Sequence, residues 1–365
     1  MAVSGRIALI RGDGIGVDVA DAAMAVAEAA LAAVGGPAVS VDEIAAGAGY
    51  YRETGRDIEP DGEARAGEAD AIFLGAIGLP AIRAADGTEI SPHLRLRDRF
   101  GLYAGVRPVK AYPNAPQRLA DPRAAGIDLV ILRESTEGLF YSAAVHGRSE
   151  GDGESEVRDT MRITRATTEK LHRCGGERAR KRMARGQAGQ LTWGDKANVF
   201  RSMAFFRQIF DEVAARYDDI ATGYNYVDAQ ALDLVRRPWD FDVMVMENMF
   251  GDILSDLAGG LVGGMGMAAC GEIGDETGLF QPAHGSAPDI MGQDKANPLA
   301  AILSGALMLD YLADKTDLPR LSEAGARIDA AVERGFAENA LRPMEFGGDM
   351  GTKAVTRAVL DRIAA

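Results

Sequence analysis

Cysteine is scarce in this 365-residue chain, with only Cys174 and Cys270 present. That excludes a disulfide framework and a cysteine-rich zinc site, and it fits a reducing compartment. Long apolar runs are also missing: none approaches the roughly 20 residues that a membrane-spanning helix needs. Before Arg11 the N-terminus offers only the apolar stretch Ile7-Ala-Leu-Ile10, too brief for the core of an export signal. A cytoplasmic address with no membrane partner is the expectation. Positive charge is in deficit, net −14 at pH 7. Such a surface repels nucleic-acid phosphates, so no nucleic-acid partner is expected, and an acidic small molecule requires a local cluster of arginines. The histidines are His93, His146, His172 and His284, none paired with another at ligand spacing. A histidine-held metal is therefore not expected.

What is present reads as an ordinary globular composition, 47% hydrophobic and 26% charged. The length exceeds the size at which one core stops growing, so two domains are expected. Short apolar runs at Ile7–Ile10, Ala71–Leu74, Leu129–Leu132 and Val243–Met246 read as buried strands of a largely parallel sheet. Between them lie Ala-rich helical stretches over 17–34, 165–185, 199–216, 298–311 and 321–336. The fold class is α/β. The polar, Gly-rich segment 141–160 reads as a solvated loop in preference to a protruding hairpin.

Several local patterns carry chemistry. Gly12-Asp-Gly-Ile-Gly16 follows a strand and opens a helix, with glycines that permit a tight turn beside a ligand, but its spacing is not that of the dinucleotide fingerprint. Arg97, Arg107 and Arg133 supply guanidinium forks suited to the carboxylates of a diacid. The flanking Arg95 and Arg99 read as surface salt-bridge residues. Asp252 and Asp256 stand four apart, on one face of a helix, where like charges repel unless a cation is shared; a solvated acidic face is the alternative. Oxygen ligands of this kind favour Mg2+ or Mn2+, and Asp228 is a candidate third carboxylate. Lys196, in Gly194-Asp-Lys-Ala-Asn198, sits in a polar turn. Alone it reads as a surface group; beside a metal and arginines its pKa would fall toward that of a base. The loop His284-Gly-Ser-Ala-Pro-Asp289 offers backbone donors to phosphate, and its aspartate suits ribose hydroxyls and repels a 2'-phosphate.

Taken in this order, the motifs resemble the isopropylmalate, isocitrate and tartrate dehydrogenase family over nearly the whole chain, closest in type to the isopropylmalate enzymes. The resemblance implies a two-domain fold with parallel and mixed sheets flanked by helices, distinct from the Rossmann fold. It implies a large NAD-binding domain over 1–102 and 263–365, and a small domain over 103–262 with the dimer interface, the metal site and an arm at about 141–163. The implied reaction is NAD- and Mg2+/Mn2+-dependent oxidative decarboxylation of a 3-substituted (R)-malate. Arg97, Arg107 and Arg133 would bind its carboxylates, with Ser91 and His93 facing the C3 substituent. Lys196 would be the general base, and Asp228, Asp252 and Asp256 would hold the metal. Ile15, His284, Gly285, Ser286, Ala287, Asp289 and Asn297 would meet the NAD. The implied unit is a homodimer, each active site borrowing Lys196 and Asp228 from the neighbouring subunit. Tartrate, D-malate, isocitrate and homoisocitrate stay open as substrates, as does a non-catalytic subunit of the same fold. One departure stands out. The family's proton-donating tyrosine, seven positions after the arginine of Arg133-Glu-Ser-Thr136, is here Phe140, which leaves the adjacent Tyr141 as the candidate donor.

Overall fold

The computed structural model describes residues 3–85, 87–142, 149–151 and 153–365. In chain order the strands are β1 (Val3–Gly12), β2 (Ala38–Glu43), β3 (Ala71–Ala76), β4 (Ala104–Lys110), β5 (Asp128–Glu134), β6 (Glu150–Gly151), β7 (Val157–Arg158), β8 (Leu191–Asp195), β9 (Thr222–Tyr226), β10 (Val243–Met246), β11 (Ala269–Ile273) and β12 (Gly278–Pro282). The helices are α1 (Gly16–Ala33), α2 (Ala48–Thr54), α3 (Gly62–Gly67), α4 (Pro92–Arg99), α5 (Arg165–Ala184), α6 (Arg201–Ala214), α7 (Val227–Arg236), α8 (Asn248–Leu261), α9 (Leu299–Thr316), α10 (Pro319–Ala337) and α11 (Thr352–Ala364). Among the described residues no helix is long and apolar enough to cross a membrane.

The chain divides into two compact units. The first comprises Met1–Phe100, Tyr112–Pro116 and Gly263–Ala365; the second comprises Gly101–Ala111 and Gln117–Val262. The segment Tyr112–Pro116 joins the first because the Asn114 amide donates to the carbonyls of Phe336 (3.1 Å) and Ala337 (3.2 Å). Tyr112 also packs its ring on Phe336.

In the first unit the strand order is β2-β1-β3-β12-β11, with β11 antiparallel to β12 and the other pairs parallel. α1, α9, α10 and α11 bury their apolar stripes in a common core with Leu9, Phe73 and Phe280 of the sheet. In the second unit the order is β4-β5-β10-β8-β9, with β4 antiparallel to β5 and the rest parallel. Here α8 covers one sheet face, packing Leu254 and Ala258 on Ile131, Met244 and Met246. α5 covers the other face, where Leu132 and Val245 approach Gly175. Burial on both faces is why β5 and β10 read as unbroken apolar runs instead of alternating ones.

The segment read as a loop is in part a hairpin: β6 and β7 pair antiparallel through Glu150↔Arg158 and Gly151↔Val157. These strands are exposed on both sides. No apolar period therefore marks them in the sequence; backbone pairing alone defines them, with Gly151 at φ +135°. Residues 143–148 of that segment, His146 among them, lie outside the described residues.

Candidate active site

The first unit brings two of the sequence motifs together. Ile15 N donates to Ser286 O (2.8 Å), joining the Gly12–Gly16 turn to the His284–Asp289 loop. Gly14, at φ +57°, makes this approach possible, since a Cβ there would lie 2.0 Å from Ser286 O. Asp13 locks the turn from below: its buried carboxylate accepts from Ala48 N (2.8 Å), Gly49 N (2.8 Å) and Gly78 N (2.9 Å). Ser286 is buried with its hydroxyl on Gly78 O. Ala287 is held at φ +36°, a costly conformation for a residue with a side chain. His284 donates from Nδ1 to Gly285 O (2.9 Å), leaving a buried Nε2 lone pair with no partner among the described residues, and burial pushes its pKa down. Asp289 is exposed. Asn297 is held at both ends of its amide. Its Nδ2 donates to Glu345 (2.9 Å), its Oδ1 accepts from Leu299 N (3.2 Å), and the other Glu345 oxygen accepts from Gly266 N (3.1 Å). Asn297 therefore shapes the loop, and Glu345, which the sequence reading missed, fixes it.

α4 carries the residues expected at the C3 substituent. Ser91 precedes its first turn with Pro92 at the start, and the Ser91 hydroxyl makes a long bond to Glu89 O (3.4 Å). Arg97 is buried and reaches Glu272 Oε1 (3.1 Å), a carboxylate with no exposed surface. His93 has its Nδ1 shut away without a partner among the described residues. Burial, then the Arg97 charge, lowers its pKa to about 3, so the ring is neutral. Arg95 pairs with Asp57 and Glu63, and Arg99 with Glu63, as the surface reading had them.

In the second unit Arg107 lies opposite Ile131 in the β4–β5 ladder, and Arg133 is two residues beyond Ile131 on the same face. Both arginines are buried. α8 lies against this face because Gly251 lets it: a Cβ there would lie 2.8 Å from the Arg133 Cβ. The helix starts at Glu247, whose carboxylate accepts from Met249 N (3.1 Å) and Phe250 N (3.3 Å). One turn in, Asp252 accepts from Arg133, and Asp256 follows one turn later. The surrounding protein and then the Asp252 carboxylate push the Asp256 pKa up, against Arg107 and Arg133, which pull it down.

Lys196 and Asp228 follow the C-terminal ends of β8 and β9, which pair in parallel through Asp195↔Tyr226. Lys196 Nζ lies 2.7 Å from Asp228 Oδ1, and this bond lowers the Asp228 pKa. The turn is braced by Asp195, fully buried, which takes both Nε and Nη2 of Arg207 at 2.7 Å. Among the described residues no three His, Cys, Asp or Glu side chains of one chain converge as a metal site. Asp252 and Asp256 form one acidic pair, and Asp228 stands with Lys196. At the position of the expected tyrosine, the Phe140 ring lies 5.0 Å from the Arg133 guanidinium, whereas Tyr141 lies under Arg162 at 4.4 Å.

The profile of the isocitrate/isopropylmalate dehydrogenase family matches residues 6–363. The chain belongs to this family. It is 37% identical over 364 residues to the 3-isopropylmalate dehydrogenase of Zymomonas mobilis, covering 97% of this chain and 99% of that one. It is also 37% identical over 364 residues to the 3-isopropylmalate/3-methylmalate dehydrogenase of Methanocaldococcus jannaschii, 98% of each. Among solved structures it resembles the isocitrate dehydrogenase of Methylococcus capsulatus, with a TM-score of 0.83, 31% identity, and 99% of this chain and 100% of that one covered. The β-decarboxylating dehydrogenase of Thermococcus kodakarensis in its apo form is similar too, with a TM-score of 0.78, 35% identity and coverage of 98% and 96%. The resemblance, the α/β fold and the class of decarboxylating hydroxyacid dehydrogenase expected from the sequence are borne out.

Proposed function

We propose that this isocitrate/isopropylmalate-family enzyme oxidises a 3-substituted (R)-malate of the 3-isopropylmalate type with NAD and Mg2+ or Mn2+, releasing CO2. The observation that carries the reading is the face of the second unit on which Arg107 and Arg133 stand beside Asp252 and Asp256. Two cations and a repelling pair of carboxylates on one face are the donor set for a dianionic acid bound together with a hard divalent ion. Asp252 and Asp256 would hold that ion, with Asp228 of a second copy completing the set. When bound, it would polarise the C2 oxygen and favour the enolate left by departing CO2.

The chain's own residues divide the work. Arg107 and Arg133 bind the malate carboxylates, and Arg97 of the first unit does the same at its site. Lys196 takes the C2 hydroxyl proton as the C2 hydride leaves. The C3–carboxylate bond then breaks, its electron pair passing toward C2, and C3 finally needs a proton. The Phe140 ring carries none to give; Tyr141 is the proposed donor if it leaves Arg162, with water as its competitor. Ile15, His284, Gly285, Ser286, Ala287, Asp289 and Asn297 would face NAD, which accepts the hydride, and the exposed Asp289 carboxylate disfavours a 2'-phosphate. Ser91 and the neutral His93 would meet the C3 substituent.

A homodimer is part of the proposal. Apolar side chains are exposed just after Lys196 (Val199, Phe200), on β9 (Tyr224) and on α7 with Asp228 (Leu232, Val235), and Ile253 is exposed between Asp252 and Asp256 in sequence. A patch of that kind asks to be covered. The test is a panel of (R)-malates bearing hydrogen, hydroxyl, methyl, isopropyl and carboxymethyl at C3, assayed for NADH and CO2 with Mn2+. Absence of NADH with every member would refute the proposal.

A further inference from the structure

Asn248, the first residue of α8, has no exposed surface, and both ends of its side chain are used. Nδ2 donates to Glu137 O (3.0 Å) and reaches Glu134 Oε2 (3.4 Å). The Glu137 carbonyl is an acceptor only, so the amide nitrogen faces it and the amide oxygen faces Arg133. Oδ1 accepts from Arg133 Nε (2.9 Å) and Nη2 (2.7 Å). Glu134 is itself fixed by Thr136 N (2.7 Å), the Thr136 hydroxyl (2.6 Å) and Glu137 N (2.7 Å). One edge of the guanidinium is thus anchored, and Nη1 on the other side meets Asp252.

We infer that Asn248 is a positioning residue for the acid substrate, clamping the Nε–Nη2 edge of Arg133 so that Nη1 exchanges between Asp252 and a bound carboxylate. A neutral amide suits this task better than a carboxylate, because it fixes the fork in a buried place without cancelling the positive charge that attracts the diacid. The inference rests on the reading of Arg133 as a substrate clamp.

The test is calorimetric titration of D-malate into the full-length Mn2+-loaded enzyme without NAD, for wild type, Asn248→Ala, Arg133→Lys and the double variant. Asn248→Ala is expected to weaken binding about tenfold or more, the loss of hydrogen bonds to a charged group. In the Arg133→Lys background the same substitution is expected to add little, since Asn248 acts through the fork that is already gone. Wild-type affinity in Asn248→Ala, or penalties that simply add, would overturn the inference. Should Asn248→Ala fail to fold, Asn248→Asp carries the test: it keeps the acceptor and the size, and is expected to bind D-malate about tenfold more weakly at low salt by neutralising Arg133. Unchanged binding there overturns the inference equally. If Arg133→Lys itself binds D-malate as wild type does, the clamp reading fails, a result separate from a failure of Asn248 alone.

Discussion

Lys196 Nζ lies 2.7 Å from Asp228 Oδ1, so a lysine read as a base is paired with an aspartate read as a metal ligand. The same bond holds the Asp228 carboxyl below its ordinary pKa. The two proposed roles meet at one carboxylate, since an Asp228 that served a divalent ion would no longer be held by Lys196 alone. Lys196→Met is accordingly expected to abolish NADH formation from (R)-malates while D-malate binding to the Mn2+ enzyme is retained. An NADH rate equal to that of wild type would remove Lys196 from the chemistry.

The acidic pair on α8 gives a second expectation. Chelation should stop turnover, and Mn2+ or Mg2+ should restore it. Asp252→Asn should raise the Mn2+ concentration for half-maximal activity by at least about tenfold, through loss of a charged oxygen ligand. Because Asp252 also accepts from Arg133, the variant should keep its fold, which its melting temperature will check. A metal requirement unchanged in Asp252→Asn would place the ion elsewhere.

These two sites differ in how far they could be read from the chain. Asp252 and Asp256 were legible because four residues make about one helical turn, and helix α8 keeps that period. The strands β5 and β10 announced themselves as apolar runs for the same local reason. The partners that decide what each charge does were not legible. Arg97 meets Glu272, Asn248 meets Arg133, and Glu345 meets Asn297 only after the chain has folded back, and no local period encodes such pairs. Asp13 was in view inside its motif, but its three backbone donors come from the start of α2 and the loop after β3.

Phe140 bears on the last chemical step. Its ring stands by Arg133 where a phenol would have a proton to give. Phe140→Tyr is expected to speed C3 protonation, read as a rise in the share of product deuterated on one face when the reaction runs in D2O. Tyr141→Phe is expected to lower that share if Tyr141 is the donor. An unchanged face preference in Tyr141→Phe would assign the proton to water.

Acid stability depends on a histidine outside the site. His172 on α5 is buried between Phe206 and Phe210, with ring centroids at 4.7 and 4.9 Å. Its Nε2 lies 3.3 Å from Phe206 O, an acceptor, so the proton sits on Nε2, and the buried Nδ1 lone pair has no partner among the described residues. Burial lowers the folded pKa from 6.5 to about 3. The sign follows from linkage: below pH 6.5 the unfolded chain gains a proton that the folded chain refuses, so this group removes stability as pH falls toward 3. The loss approaches about 3 kcal/mol near pH 4 at 1.36 kcal/mol per pH unit. His172→Gln retains a donor for Phe206 O and cannot be protonated. Urea unfolding should show the variant equal to or below wild type at pH 8, with the difference shifting in its favour as the pH is lowered to 4.5. Parallel stability curves for the two proteins across that range would show that His172 does not set the acid limb.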